Sequence, residues 1–193
     1  MIDFLVFFIS IMVIFLVINT VIMKDNDIIM VKSDLDNIYY IVRDLPDAKE
    51  ASNKLSLINR NVMLLINHLK GIDYDIEKYE RLKKRYNPNT LSETSKNSKH
   101  VSYSVNKGEK ISICLRNNNN NFEDNNIFIF VVIHELAHIV TKEIGHTEKF
   151  WENMKELLEE AERINIYTPV DYSMANVNYC GMVVKTTPYD FKK

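Results

Sequence analysis

Residues 126–151 read NIFIFVVIHELAHIVTKEIGHTEKFW. Seven consecutive apolar residues, 127–133, lead into His134-Glu135-Leu136-Ala137-His138. The apolar run predicts a buried helix over 126–143. On such a helix residues four apart are turned by about 400°, so His134 and His138 share one face, roughly 40° apart. Two imidazoles so placed can reach one metal ion. Glu135 lies beside them, near enough to contact a metal-bound water but turned away from ligation. This pairing points to a single Zn2+, which lowers the pKa of its water toward ~7 so that a carboxylate can take the proton. With 5 His among 193 residues, the HExxH pattern arises by chance only about 0.01 times in such a chain. It is therefore read as a site, not as an amphipathic helix with two histidines on a polar edge.

A catalytic zinc needs a third protein ligand and an open position. His146 is the candidate, because Gly145 directly before it permits the left-handed turn that ends a helix and swings the chain back. Glu143 and Glu148 are nearby alternatives. Glu156, Glu159 and Glu160 on the following helix would give a third-carboxylate arrangement.

Outward from this core, residues 147–163 have the spacing of an amphipathic helix capped by Thr147, with Phe150, Met154, Leu157, Leu158 and Ala161 inward. Residues 101–116 predict a hairpin turning at Asn106-Lys107-Gly108. In its second arm Ile111, Ile113 and Leu115 alternate with polar neighbours. Residues 28–43 read as two short strands around Asp36-Asn37. A long helix follows Pro46-Asp47 and stops at Gly71, and a shorter charged helix covers 75–85. The Ser/Asn/Lys-rich stretch 87–100 reads as a loop, and the tail ends in a short strand at 182–184. His68 and His100 read as ordinary partly buried or loop histidines.

Composition excludes several classes. The 24 Lys+Arg against 26 Asp+Glu give a net charge of −2, which argues against nucleic acid held by bulk charge. The Arg81-Leu82-Lys83-Lys84-Arg85 cluster reads as a solvated helix face, with anionic headgroups as a second reading. Four glycines and no GxGxxG or GxxxxGK[ST] leave no phosphate-cradling loop. Two cysteines are too few for a disulfide scaffold.

Residues 4–23 hold 20 residues without a charge. At 1.5 Å per residue they span about 30 Å, the thickness of a bilayer's hydrocarbon core. The expectation is a single-pass membrane protein with the lipid bilayer contacted through 4–23. Lys24 and Lys32 follow the span, so the positive-inside rule places the C-terminal domain in the cytosol, of the host or facing a virion membrane. There Cys114 and Cys180 would stay reduced. Cys180 reads as a small buried hydrophobe, or as an extra metal ligand.

The stretch VVIHELAHIVTKEIGHTEKFWENMKELLEEA resembles the core of the WLM and SprT-like zinc metallopeptidases, with an HExxH helix, a third His, and His146 followed by Phe150. SVNKGEKISICLR, INIYTPVDY and VNYCG resemble metallopeptidases of large DNA viruses. The resemblance implies zinc on His134, His138 and His146, Glu135 as acid/base, and a protein or peptide substrate. It also implies a sheet edge strand beside the active-site helix, on which substrate pairs as an added strand. Residues 111–116 are the candidate, with Ile113, Leu115 and Arg116 as substrate contacts; a plain core strand is the other reading. Oxyanion donors are sought among Tyr172, Tyr179 and Arg116. The expected class is α+β, with an N-terminal transmembrane helix before a small zincin-like domain of antiparallel sheet plus helices. Residues 1–27 would be anchor and linker, and 28–193 the metallopeptidase-like domain. The expected function is a membrane-anchored zinc metallopeptidase. The alternatives are a non-catalytic zinc-binding membrane or virion scaffold, and a protease acting on DNA–protein complexes.

Overall fold

The chain pairs its first two strands, β1 (Ile28–Lys32) and β2 (Tyr39–Arg43), in antiparallel register from Ile28↔Arg43 to Lys32↔Tyr39. Their turn is set by Asp36, whose Oδ1 accepts from the Ile38 N–H at 2.9 Å, and by Asn37 in the left-handed region at φ 62°. An Asx side chain and a short residue tolerant of positive φ are what such a turn requires. This is a computed structural model, and it describes residues 27–191 together with Met12.

Helix α1 (Ala48–Lys70) buries Ala51, Leu55, Ile58, Val62, Leu65, Ile66 and Leu69. Those positions recur at three- and four-residue spacing, and each large side chain contributes roughly 1.5–3 kcal/mol by leaving water. Gly71 ends the helix where the sequence placed its stop, in a right-handed conformation (φ −89°, ψ −6°). Helix α2 (Ile76–Arg85) is capped by Asp75, which accepts from the Lys78 N–H.

A central strand was not expected. Residues 87–100 read as loop, yet β3 (Leu91–Glu93) sits in the middle of the sheet, wholly buried. Leu91 alone is apolar there. Ser92 and Glu93 are buried because they have partners: the Glu93 carboxylate accepts from the Arg43 N–H at 2.8 Å and from Arg116 Nε at 2.8 Å. No hydrophobic alternation could announce a strand kept inside by polar pairing.

The hairpin follows as β4 (Tyr103–Val105) and β5 (Lys110–Ile113). Its turn packs on the metal-site helix so closely that a Cβ on Gly108 (φ 104°) would lie 2.3 Å from Ile139 Cδ1. The five strands run in the order β1-β2-β3-β5-β4. β2 with β3 and β3 with β5 are parallel, so the sheet is mixed and not the antiparallel one expected. β5 is interior, and the edge strands are β1 and, beside β5, β4.

Helix α3 (Asn125–Val140) is buried nearly all round, capped by Asp124. It packs against β5 and is flanked by α1, α2 and α4 (Glu148–Arg163). A short helix, α5 (Tyr172–Ala175), precedes a hairpin of β6 (Val177–Tyr179) and β7 (Met182–Val184). Cys180 and Gly181 both hold positive φ, 51° and 83°, as a two-residue primed turn demands.

Two expectations are corrected here. Cys114 and Cys180 are not reduced: they form a disulfide tying the end of β5 to the β6–β7 turn. Among the described residues no helix is long and apolar enough to cross a membrane. The transmembrane helix expected over 4–23 lies, but for Met12, outside the described residues, and the membrane anchor and single-pass localisation are withdrawn.

Candidate metal centre

His134 and His138 project from one face of α3, and His146 returns to them from the loop before α4. The ligand nitrogens of the three imidazoles all lie within 4.8 Å of one another. His146 Nε2 is 3.0 Å from His134 Nε2.

Three local features bring His146 back. Helix α3 stops at Thr141, which turns to extended backbone (ψ 127°). Gly145 holds φ 87°, the left-handed conformation the sequence suggested. Thr147 then caps α4 by accepting from the Phe150 N–H. The carbonyls left over at the end of α3 are gathered by cations. Lys107 Nζ donates to the carbonyls of Thr141 (2.9 Å), Lys142 (2.7 Å) and Glu143 (3.1 Å). Arg81 donates through Nε and Nη2 to the Val140 carbonyl. Positive charge at a helix C-terminus satisfies both the orphan acceptors and the dipole. These contacts fix the loop that carries His146.

Phe150 forms the floor. It is fully buried, with its ring centroid 4.4 Å from His138, 4.7 Å from His146 and 4.9 Å from His134. Burial against this apolar floor disfavours the charged imidazolium. It lowers the pKa of His134 to about 3, helped by the charges of His138 and His146. It lowers that of His138 to about 4, helped by His146 and Lys107. His134 and His138 are therefore neutral and keep lone pairs free for a metal at any physiological pH.

Glu135 sits in the same cleft, 6% exposed. Burial raises its pKa to about 7, against the opposing hydrogen bond from Ser104. The cleft has a volume of about 380 Å³ and is open to solvent between α3, the 143–146 loop and residues 102–104. Its lip carries Ile144, which is 91% exposed.

The donor set fits one divalent ion that accepts imidazole nitrogen, and His134, His138 and His146 would hold it. Among the described residues no carboxylate joins that group. Glu143 lines the cleft without belonging to it. Glu156 pairs with Lys78, Glu160 with His68 and Arg163, and Glu159 with Lys155.

The other candidates lie elsewhere. Ile113 and Leu115 are fully buried core residues. Arg116 is 2% exposed and pairs with Glu93 and Asp47, so it reaches no substrate on the edge. Tyr172 packs its ring 4.4 Å from Phe130, beneath the surface. Tyr179 is 3% exposed and donates to the Cys114 carbonyl at 2.7 Å. None of these five lines the metal cleft. Ser102, Tyr103, Ser104 and Lys107 do, and sequence reasoning missed them. The signal lay in the hairpin turn, but the choice of its first arm as the edge needed the strand order.

With this geometry in view, the comparisons fix the class. The WLM domain profile matches residues 36–187, and the chain belongs to the WLM domain family, a class of peptidase-like enzymes. An uncharacterized protein of Acanthamoeba polyphaga mimivirus, R325, is 33% identical over 159 residues, 80% of this chain and 81% of that one. The 136R protein of Invertebrate iridescent virus 6 is 34% identical over 97 residues, 49% of this chain and 53% of that one. The crystal structure of Wss1 from Saccharomyces cerevisiae is similar over 64% of this chain and 86% of that chain, with 22% identity and a TM-score of 0.49.

Proposed function

We propose that this chain is a zinc metallopeptidase in which His134, His138 and His146 hold one zinc ion and Glu135 is the general acid/base. When bound, such an ion acts as a Lewis acid and acidifies water at neutral pH. The observation that carries the reading is Glu135. A purely structural site has no use for a carboxyl buried in the same cleft as three convergent imidazoles. From its place in the cleft beside the three imidazoles, Glu135 can take a proton from the attacking water and return it to the leaving amine.

The substrate in this reading is an extended peptide. β4 is one of the two outer strands of the sheet, and its Tyr103 and Ser104 line the cleft. Its free backbone groups would pair with a substrate segment as a sixth strand and lay a carbonyl across the metal site. Recognition through main-chain hydrogen bonds is largely independent of sequence. Ile144 offers an apolar contact at the lip.

The test is hydrolysis of an unfolded protein, carboxymethylated casein, by the full chain. Activity that a chelator abolishes and stoichiometric zinc restores supports the reading. No cleavage by a zinc-loaded, folded protein across a panel of unfolded proteins and peptides would overturn it.

A further inference from the structure

A second cleft, of about 220 Å³, opens near the carboxyl ends of the parallel strands β2, β3 and β5. Ligands in open sheets gather at strand carboxyl ends, because loops there can converge on them. Arg43, Lys96, Lys99, His100 and Arg116 line this cleft, and no carboxylate does.

Their charges are not all spoken for. Arg116 is answered by Glu93 and Asp47, yet its Nη2 is buried without a hydrogen-bond partner. The Arg43 guanidinium donates to the Asn120 side-chain carbonyl at 3.0 Å, a neutral acceptor. Lys96 and Lys99 form no ion pair among the described residues. At the margin, Asp27 accepts from the Ser95 hydroxyl and the Lys96 N–H. Arg43 also feels the charges of Glu93 and Asp47, so the cations left without a carboxylate partner are Lys96 and Lys99, with Asp27 alone beside them.

The cleft also joins the metal centre along the chain. His100 lines it, while Ser102, Tyr103 and Ser104 line the metal cleft. Four residues of extended chain reach at most about 14 Å. A peptide seated on the β4 edge with its scissile bond near Glu135 would bring a side chain some four residues away to the cations.

We propose that this cleft is an anion subsite for acidic side chains flanking the scissile bond, so that the preferred substrates are peptides with an Asp/Glu-rich flank. The choice of occupant rests on the peptidase reading. Nucleic acid fits less well: the cleft is small, holds no stacking platform beyond His100, and lies on a chain of net charge −2.

The experiment measures binding, which separates this proposal from catalysis. The probes are two dodecapeptides with the same label, identical except for a flank of four Glu or four Gln. They are titrated by fluorescence anisotropy against full-length, zinc-loaded Glu135→Gln protein. The Glu peptide should bind about tenfold more tightly, with the advantage fading as salt is raised and vanishing in Lys96→Gln/Lys99→Gln. Equal affinity for the two peptides overturns the subsite. So does displacement of the Glu peptide by oligothymidylate at lower concentration than by unlabelled Glu peptide, which would assign the cleft to phosphodiesters. If the Glu peptide binds as expected while wild type cleaves nothing, the anion site stands and the peptidase reading fails.

Discussion

The Nε2 atoms of His134 and His146 stand 3.0 Å apart, though twelve residues separate them in the chain. No helix repeat brings them together. The stop at Thr141, the left-handed Gly145 and the Thr147 cap do, while Lys107 and Arg81 hold the intervening carbonyls.

His146→Ala should therefore reduce bound zinc from one equivalent to a small fraction, with the fold unchanged by circular dichroism. Loss of a direct ligand should cost more than the roughly 10–100-fold in affinity that removal of an outer partner costs. Metal analysis of the purified full chain checks this. Full zinc retention would move the third ligand to Glu143.

The metal-free chain should lose stability as pH falls. Near pH 5.5, midway between the ordinary values of 6.5 for His and 4.5 for Glu, an unfolded chain carries protons on most of its His134 and His138 and on little of its Glu135. The folded chain has both imidazoles neutral, with pKa values of about 3 and 4, and Glu135 protonated, with a pKa of about 7. The unfolded state then holds one more proton among these three groups, so stability rises with pH. The stabilising effect of the lowered histidines is present above 6.5 and is lost toward their folded values. The raised Glu135 works in the opposite sense, its contribution lost as pH rises through about 7. Glu135→Gln removes that opposition, so the variant's slope should be about twice as steep. Urea titrations of apo-protein at pH 4.5, 5.5 and 6.5 measure both slopes; equal slopes would contradict the assignment.

Glu93→Gln should destabilise the protein by about 3 kcal/mol, because it leaves a buried guanidinium short of a charge partner. Arg116 is wholly buried at its side chain and Glu93 nearly so. A urea midpoint shifted with unchanged slope is the expected signature. An unshifted midpoint would mean that Asp47 alone suffices.

Cys114→Ser/Cys180→Ser should cost about 4 kcal/mol on the chain-entropy account, since the bridge closes a loop of 66 residues. Thermal melts with and without reductant check it in wild type. A melting temperature indifferent to reductant would show that the β6–β7 hairpin stays docked without the bond.

Much of this was legible beforehand, and the rest was hidden for identifiable reasons. The helices were readable because Leu55, Ile58, Val62 and their successors repeat at 3.6-residue spacing. The His134-Glu135-His138 constellation was readable because it is local, and Gly145 signalled the turn to His146. β3 was not, because Ser92 and Glu93 are buried by partners 20 or more residues distant in the chain. The edge strand was misplaced for a related reason. Ile111 and Ile113 alternate like a half-buried strand, but only the strand order shows that β5 is flanked on both sides. Tyr179 drew notice as a donor, yet its hydroxyl is committed to the Cys114 carbonyl. The pairing of Cys114 with Cys180 follows from the hairpin turn that no local pattern specified.

The central claim is that Glu135 performs chemistry beside a metal that it does not hold. The most direct test is Glu135→Gln, with zinc content and peptide hydrolysis measured on the same preparation. The account predicts one equivalent of zinc retained and hydrolysis reduced by at least about a thousandfold. Hydrolysis at the wild-type rate, or zinc lost together with activity, would contradict it.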